Sequence, residues 1–71
     1  MQNFKTLPDN KWISVNADNL NEFLIYYPEE QFNKSTPTLL ANVISEALGM
    51  SFKTFQCQEY GVDTYVVTLH R

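Results

Sequence analysis

Leu20-Asn21-Glu22-Phe23-Leu24-Ile25-Tyr26-Tyr27 admits two readings, and the choice between them decides the fold. Read as a helix, Leu20, Phe23, Leu24 and Tyr27 share one face at spacings of three and four, Asp18 caps the start and Pro28 stops the end. Read as a strand, the run from Phe23 to Tyr27 is an uninterrupted apolar stretch of the kind that is buried on both faces. The start and stop signals favour a short helix.

Toward the carboxyl end the signals are cleaner. Thr36 offers an oxygen to the first free amides, Pro37 suits the first helical position, and a helix is expected from Pro37 to Leu48. Its apolar stripe is Leu40, Val43, Ile44, Ala47 and Leu48, flanked by Leu39, with Thr38, Asn42, Ser45 and Glu46 on the wet side. Gly49 supplies a left-handed cap. Beyond it the period falls to two: Lys53, Phe55 and Cys57 alternate with Phe52, Thr54, Gln56 and Gln58, and a partner strand runs from Thr64 to His70 with Tyr65, Val67 and Leu69 as its apolar set. Bringing the two sets to one face requires an odd-numbered loop. Tyr60-Gly61-Val62, or a five-residue loop, would set Cys57 opposite Tyr65 and Phe55 opposite Val67.

Toward the amino end, Lys11 to Asn16 reads as a strand with Ile13 and Val15 facing in and Trp12, Ser14 and Asn16 facing out. Residues 28–35 read as a loop carrying Glu29 and Glu30, with Phe32 as a plug beneath it. The sum is an α+β fold: a small three-stranded, mostly antiparallel sheet with two helices on one face. The strand reading of residues 20–27 gives the alternative order β-β-α-β-β. One domain takes in residues 1–71, with 1–10 as an amino-terminal arm and no linker. A chain of this size buries only about 60% of its unfolded surface, so modest stability is expected.

Composition removes most chemistry. Two glycines, Gly49 and Gly61, stand too far apart for a phosphate-cradling loop or a dinucleotide fingerprint, so no cofactor is expected. One Cys and one His fall short of a zinc site. The only catalytic pair available, Cys57 with His70, lies on opposite faces and some 16 Å apart in the expected register, far beyond the roughly 3 Å that proton transfer needs. The expected protein is not an enzyme. A lone thiol and the lack of an apolar leader or an 18-residue apolar run point to a cytoplasmic chain that does not enter membranes.

What the expected fold leaves open is the outer sheet face. There stand Trp12, Phe52, Val66 and His70 among Ser14, Thr54, Gln56, Gln58, Thr64 and Thr68, unless the large rings fold over a sheet end or pack under the first ten residues with Phe4 and Leu7. Aromatics ringed by short polar groups resemble the anchors that dominate interface energies. A second candidate surface is acidic: Asp18, Glu22, Glu29, Glu30 and Glu46 fall on the expected helical side, where they suit a basic patch on a larger protein. The expected function is a non-enzymatic protein-interaction module that modulates or inhibits a larger intracellular protein, with Trp12, Phe52, Gln56, Val66, His70, Glu29 and Glu30 as contact residues. The alternative is stacking of RNA or single-stranded nucleic acid on the same face, helped by Lys11, Lys53 and Arg71. The net charge of -3 weighs against phosphate binding. Exposed strand edges also suit a homodimer. The abundance of Asn and Tyr in so short a chain resembles that of viral, phage or mobile-element accessory proteins, and such a setting is the expectation it gives.

Overall fold

Residues 19–26 form a strand, not a helix, and with them the fold changes. In the computed structural model, which describes residues 3–71, the elements are β1 (Phe4–Leu7), β2 (Asn10–Asn16), β3 (Asn19–Tyr26), a single 3-10 turn (Glu29–Gln31), α1 (Thr36–Leu48), β4 (Thr54–Gly61) and β5 (Thr64–His70). The strands make one antiparallel sheet in the order β1-β2-β3-β5-β4. The expected three strands and two helices are therefore five strands and one helix. The alternative β-β-α-β-β order is close, short by one strand: part of the expected amino-terminal arm is β1.

The strand wins at residues 19–26 because β3 is a central strand, between β2 and β5, where an apolar run finds cover on both faces. Phe23 and Ile25 enter the core, Leu24 is half-buried on the other face, and Leu20, which the helix reading needed inside, is exposed. Asp18 does not cap a helix. It belongs to a two-residue turn, Ala17-Asp18, between the paired Asn16 and Asn19, and its N–H donates to Asn16 Oδ1 at 2.9 Å.

All three hairpins close with two residues, but the register slips by three residues beside the first two and by one beside the third. Pro8-Asp9 joins Leu7 to Asn10, Ala17-Asp18 joins Asn16 to Asn19, and Val62-Asp63 joins Gly61 to Thr64, each with a bulge close by, at Thr6/Leu7, Val15/Asn16 and Glu59/Gly61. The last case corrects the expected loop. A two-residue turn alone would set the apolar residues of β4 and β5 on opposite faces, and the extra bulge residue restores them to one. The register is thereby shifted by two from the expected one: Cys57 lies opposite Val67 and Phe55 opposite Leu69.

Helix α1 packs on the β5 and β4 side of the sheet. Leu40, Ala41 and Ile44 meet Ile13, Phe23, Ile25, Tyr65, Val67 and Leu69 in the core. Gly49 caps the helix in the left-handed region at φ 64°, as expected, and Met50 N–H returns to Ser45 O at 3.0 Å. At the other end Thr36 is inside the helix, not its cap. Its Oγ1 accepts from Asn33 N–H at 2.9 Å, and Asn33 Oδ1 accepts from Ser35 N–H at 2.8 Å, which fixes the entry turn and buries Thr36. Phe32 is the plug anticipated from the sequence: its ring stacks on Tyr65 at 4.6 Å. The helix is rotated from its expected facing, with Ala41 buried and Val43 and Ala47 turned out.

Bulges raise the local twist of a sheet. Three of them on five strands coil this one until diagonal corners meet: Phe4, at the start of β1, and Tyr60, near the end of β4, sit on opposite edges of the sheet, yet their rings touch edge to face at 5.8 Å. Flat, five strands at about 4.8 Å spacing would hold those edges some 19 Å apart. The outer face is thus a concave trough, not an open plane.

Candidate functional site

Coiling redistributes the residues that sequence assigned to the outer face. Thr6, Ser14, Leu24, Val66 and Gln58 form one row across it. Val66, between Leu24 and Gln58 in that row, is 8% exposed and offers little contact surface. Phe52 is not on this face: half-buried, it meets Phe55 edge to face at 5.8 Å and packs against the helix-side core. Gln56 and His70 are exposed, on β4 and at the end of β5. Asn16, expected to face solvent, is buried, its Nδ2 donating to Glu22 Oε1 at 2.9 Å.

Trp12 alone of the expected aromatic pair is free, 64% exposed. Extending the Ile13↔Ile25 register by one residue sets it across from Tyr26, and the two rings lie 5.3 Å apart. Beside them α1 turns out Leu39 and Val43, 47% and 37% exposed. These four, with Asn10, Tyr27 and Leu40, wall a groove of about 220 Å³ whose floor is Ile13 and Ile25. The groove exists because one helix is too narrow for this sheet. A helix is about 10–12 Å across with its side chains, enough to roof two strands, and α1 roofs β5 and β4. Its outer edge, Leu39 and Val43, stops short of Trp12 and Tyr26, and the gap between them is the groove. A second recess of about 330 Å³ continues along the same helix, between Ala47 and Leu48 and the Leu7–Asn10 turn. Leu39, Val43 and Ala47 follow one another at intervals of four, so a single apolar edge of α1 borders both.

The acidic candidates lie next to this groove. Glu29 and Glu30 line, with Asp63, Val62, Pro28 and Tyr26, a recess that shares Tyr26 with the groove. Glu29 N–H donates to Asp63 Oδ1 at 2.7 Å and Tyr27 N–H to Asp63 O at 2.8 Å, which pins the 3-10 turn to the β4–β5 hairpin. Burial first, and then the negative field of Glu29, Glu59 and Asp63, holds the Tyr65 hydroxyl above the usual tyrosine range. The structure thus joins two surfaces that sequence kept apart, an aromatic one and an acidic one, around Tyr26.

Cys57 lies opposite Val67, three residues from His70 along β5 and on the other face of the sheet. Burial pushes its thiol above the usual range, which disfavours the thiolate a nucleophile needs. Among the described residues no three His, Cys, Asp or Glu side chains gather where they would hold a metal ion, and no helix is long and apolar enough to cross a membrane. Sequence reasoning missed Tyr26, Leu39 and Val43 as contact residues. Tyr26 was hidden by the helix reading of its segment. Leu39 and Val43 carried a usable signal: a stripe of seven apolar positions on one helix is wider than one small sheet can bury.

Comparison with protein-family models, with curated proteins and with solved structures finds no match to this chain.

Proposed function

We propose that this chain is a non-enzymatic interaction module of the cytoplasm that binds a larger protein and modulates or inhibits it. The observation that carries the reading is the groove: four large apolar side chains, Trp12, Tyr26, Leu39 and Val43, stand exposed around one concavity with a buried floor. Small proteins seldom leave such groups together in water, and a Trp or Tyr anchor in an interface is worth about 2 kcal/mol or more. The carboxylates of Glu29, Glu30 and Asp63 at the Tyr26 side favour a partner whose apolar knob is bordered by Lys or Arg, and they steer its approach. They also count against a phosphate backbone at this place. Of the five cations only Lys11 is beside the rings in sequence, while Lys53 is held by its N–H to His70 O at the far end of the sheet, next to Arg71.

The test is capture from nuclease-treated and untreated lysate with the wild-type protein, Trp12→Ala, Leu39→Ala and Glu46→Ala as baits. Under the proposal one stoichiometric protein survives nuclease, is lost with Trp12→Ala or Leu39→Ala, and is kept with Glu46→Ala. Capture indifferent to Trp12 and Leu39 would remove the groove as the site. Capture abolished by nuclease would move the protein to nucleic acid.

A further inference from the structure

The two edges of the sheet are not equally protected. Strand β1 is four residues long, carries Lys5 and runs into Pro8, all devices that discourage further pairing. Strand β4 is eight residues long, and Thr54-Phe55-Gln56-Cys57-Gln58 within it holds no charge, no proline and no bulge. Among the described residues it pairs with β5 on one side and with no strand on the other. The ends of this neutral stretch are flanked by opposite charges, Lys53 before it and Glu59 after it, both exposed.

We propose that β4 pairs antiparallel with β4 of a second copy, about a two-fold axis through Gln56, to give a continuous ten-stranded sheet. A two-fold axis perpendicular to a sheet keeps side chains that oppose each other on matching faces, so it must pass through a residue, not between two. Five centres fall within the neutral stretch. An axis at Thr54 sets Lys53 against Phe55 of the partner subunit, and one at Gln58 sets Cys57 against Glu59 of the partner subunit. An axis at Phe55 sets Lys53 against Cys57 of the partner, and one at Cys57 sets Phe55 against the partner's Glu59. An axis at Gln56 sets Lys53 against the partner's Glu59 at both ends, Phe55 against the partner's Cys57 on the helix face, and Thr54 against the partner's Gln58 on the other. Only this register matches charge with charge and apolar with apolar. The surface is separate from the Trp12 groove, and the proposal stands or falls independently of it.

Two measurements test it. The first is sedimentation equilibrium of the wild-type protein, Lys53→Glu, Glu59→Lys and the double exchange, each checked for folding by circular dichroism. A wild-type dimer weakened at least about tenfold by either single exchange and restored by the double one is the expected result, because each single exchange turns two attractive cross-strand pairs into two repulsive ones. The second reads the register. In a Cys57→Ser background, Gln56→Cys sets two thiols across the axis with Cα atoms about 4.5–5.5 Å apart, inside the range of a disulfide, whereas Thr54→Cys leaves them about 13 Å apart. Mild oxidation with diamide links the first and not the second. A monomeric wild type, a dimer indifferent to the exchanges, or equal linking of both cysteine variants would overturn the proposal.

Discussion

If the coiled sheet closes at its corners, deleting the Phe4 ring and deleting the Tyr60 ring should not have independent effects. Phe4 is half-buried; full burial of a Phe side chain is worth about 1.5–3 kcal/mol, so Phe4→Ala forfeits about 1 kcal/mol of burial. The edge-to-face pair at 5.8 Å adds about 0.5–1.5 kcal/mol, for a total loss near 2 kcal/mol. That is a large part of the roughly 4–10 kcal/mol expected for a domain of this length. Tyr60→Ala loses less burial, since the ring is 52% exposed, but the same pair energy. Urea unfolding of the wild type, the two single variants and the double variant, followed by far-ultraviolet circular dichroism, closes the cycle. The expected coupling is about 0.5–1.5 kcal/mol. Losses that add to within about 0.3 kcal/mol would mean that the rings do not meet in solution, and the account of the trough would fail with them.

Two other perturbations separate local causes. Gly49→Ala places a Cβ in open space at φ 64°, so its loss of about 1–2 kcal/mol is the left-handed backbone alone; Gly61→Ala meets only the Thr64 hydroxyl, at 3.2 Å, and should change stability by less than about 1 kcal/mol. Thermal unfolding of both variants checks the order, and a larger loss at Gly61 would contradict it. Tyr65 should titrate above the ordinary tyrosine value of about 10 in an ultraviolet phenolate titration. Because the folded state holds this proton more tightly than the unfolded chain, its contribution to stability is complete below pH about 10 and is lost as pH rises through the folded value. Tyr65→Phe should remove the late transition, and its persistence in that variant would reassign it.

The carboxyl half of the fold was legible in sequence because its signals were local and mutually consistent. Thr36-Pro37 and Gly49 bracket the helix, and the change of period after Met50 marks the hairpin. The amino half misleads because Asp18, which suits a helix cap, lies in the hairpin turn between Asn16 and Asn19. A signal was present. Pro8-Asp9-Asn10, Ala17-Asp18-Asn19 and Val62-Asp63-Thr64 share an Asp followed by a small polar residue, and each closes a two-residue turn. Asp at the second turn position tolerates a left-handed backbone, as Asp63 shows at φ 54°. Reading the first two as two-residue turns converts residues 4–26 from arm, strand and helix into a three-stranded meander, although Asp63 alone of the three aspartates takes the left-handed backbone. Matched faces do require one extra residue in the last hairpin, and it sits in a bulge at Glu59/Gly61 instead of in the loop.

The same bulges decide where this protein can be touched. By coiling the sheet they bring its corners together, and a face that would be an open platform on a flat sheet becomes a trough. The helix face faces the opposite constraint. One helix of 13 residues, about 20 Å long, packs most closely on β5 and β4; Leu40, Ala41 and Ile44 reach Ile13, Phe23 and Ile25 but leave Trp12 and Tyr26 exposed. Trp12 and Tyr26 on β2 and β3, and Leu39 and Val43 on the outer edge of the helix, are therefore left in water by a shortage of chain, not by an excess of hydrophobic residues. A chain of this size that kept Ala or Ser at those four positions would lose little of its core, since none of them is buried. Retaining a Trp, a Tyr, a Leu and a Val around one groove makes physical sense when something else completes the roof.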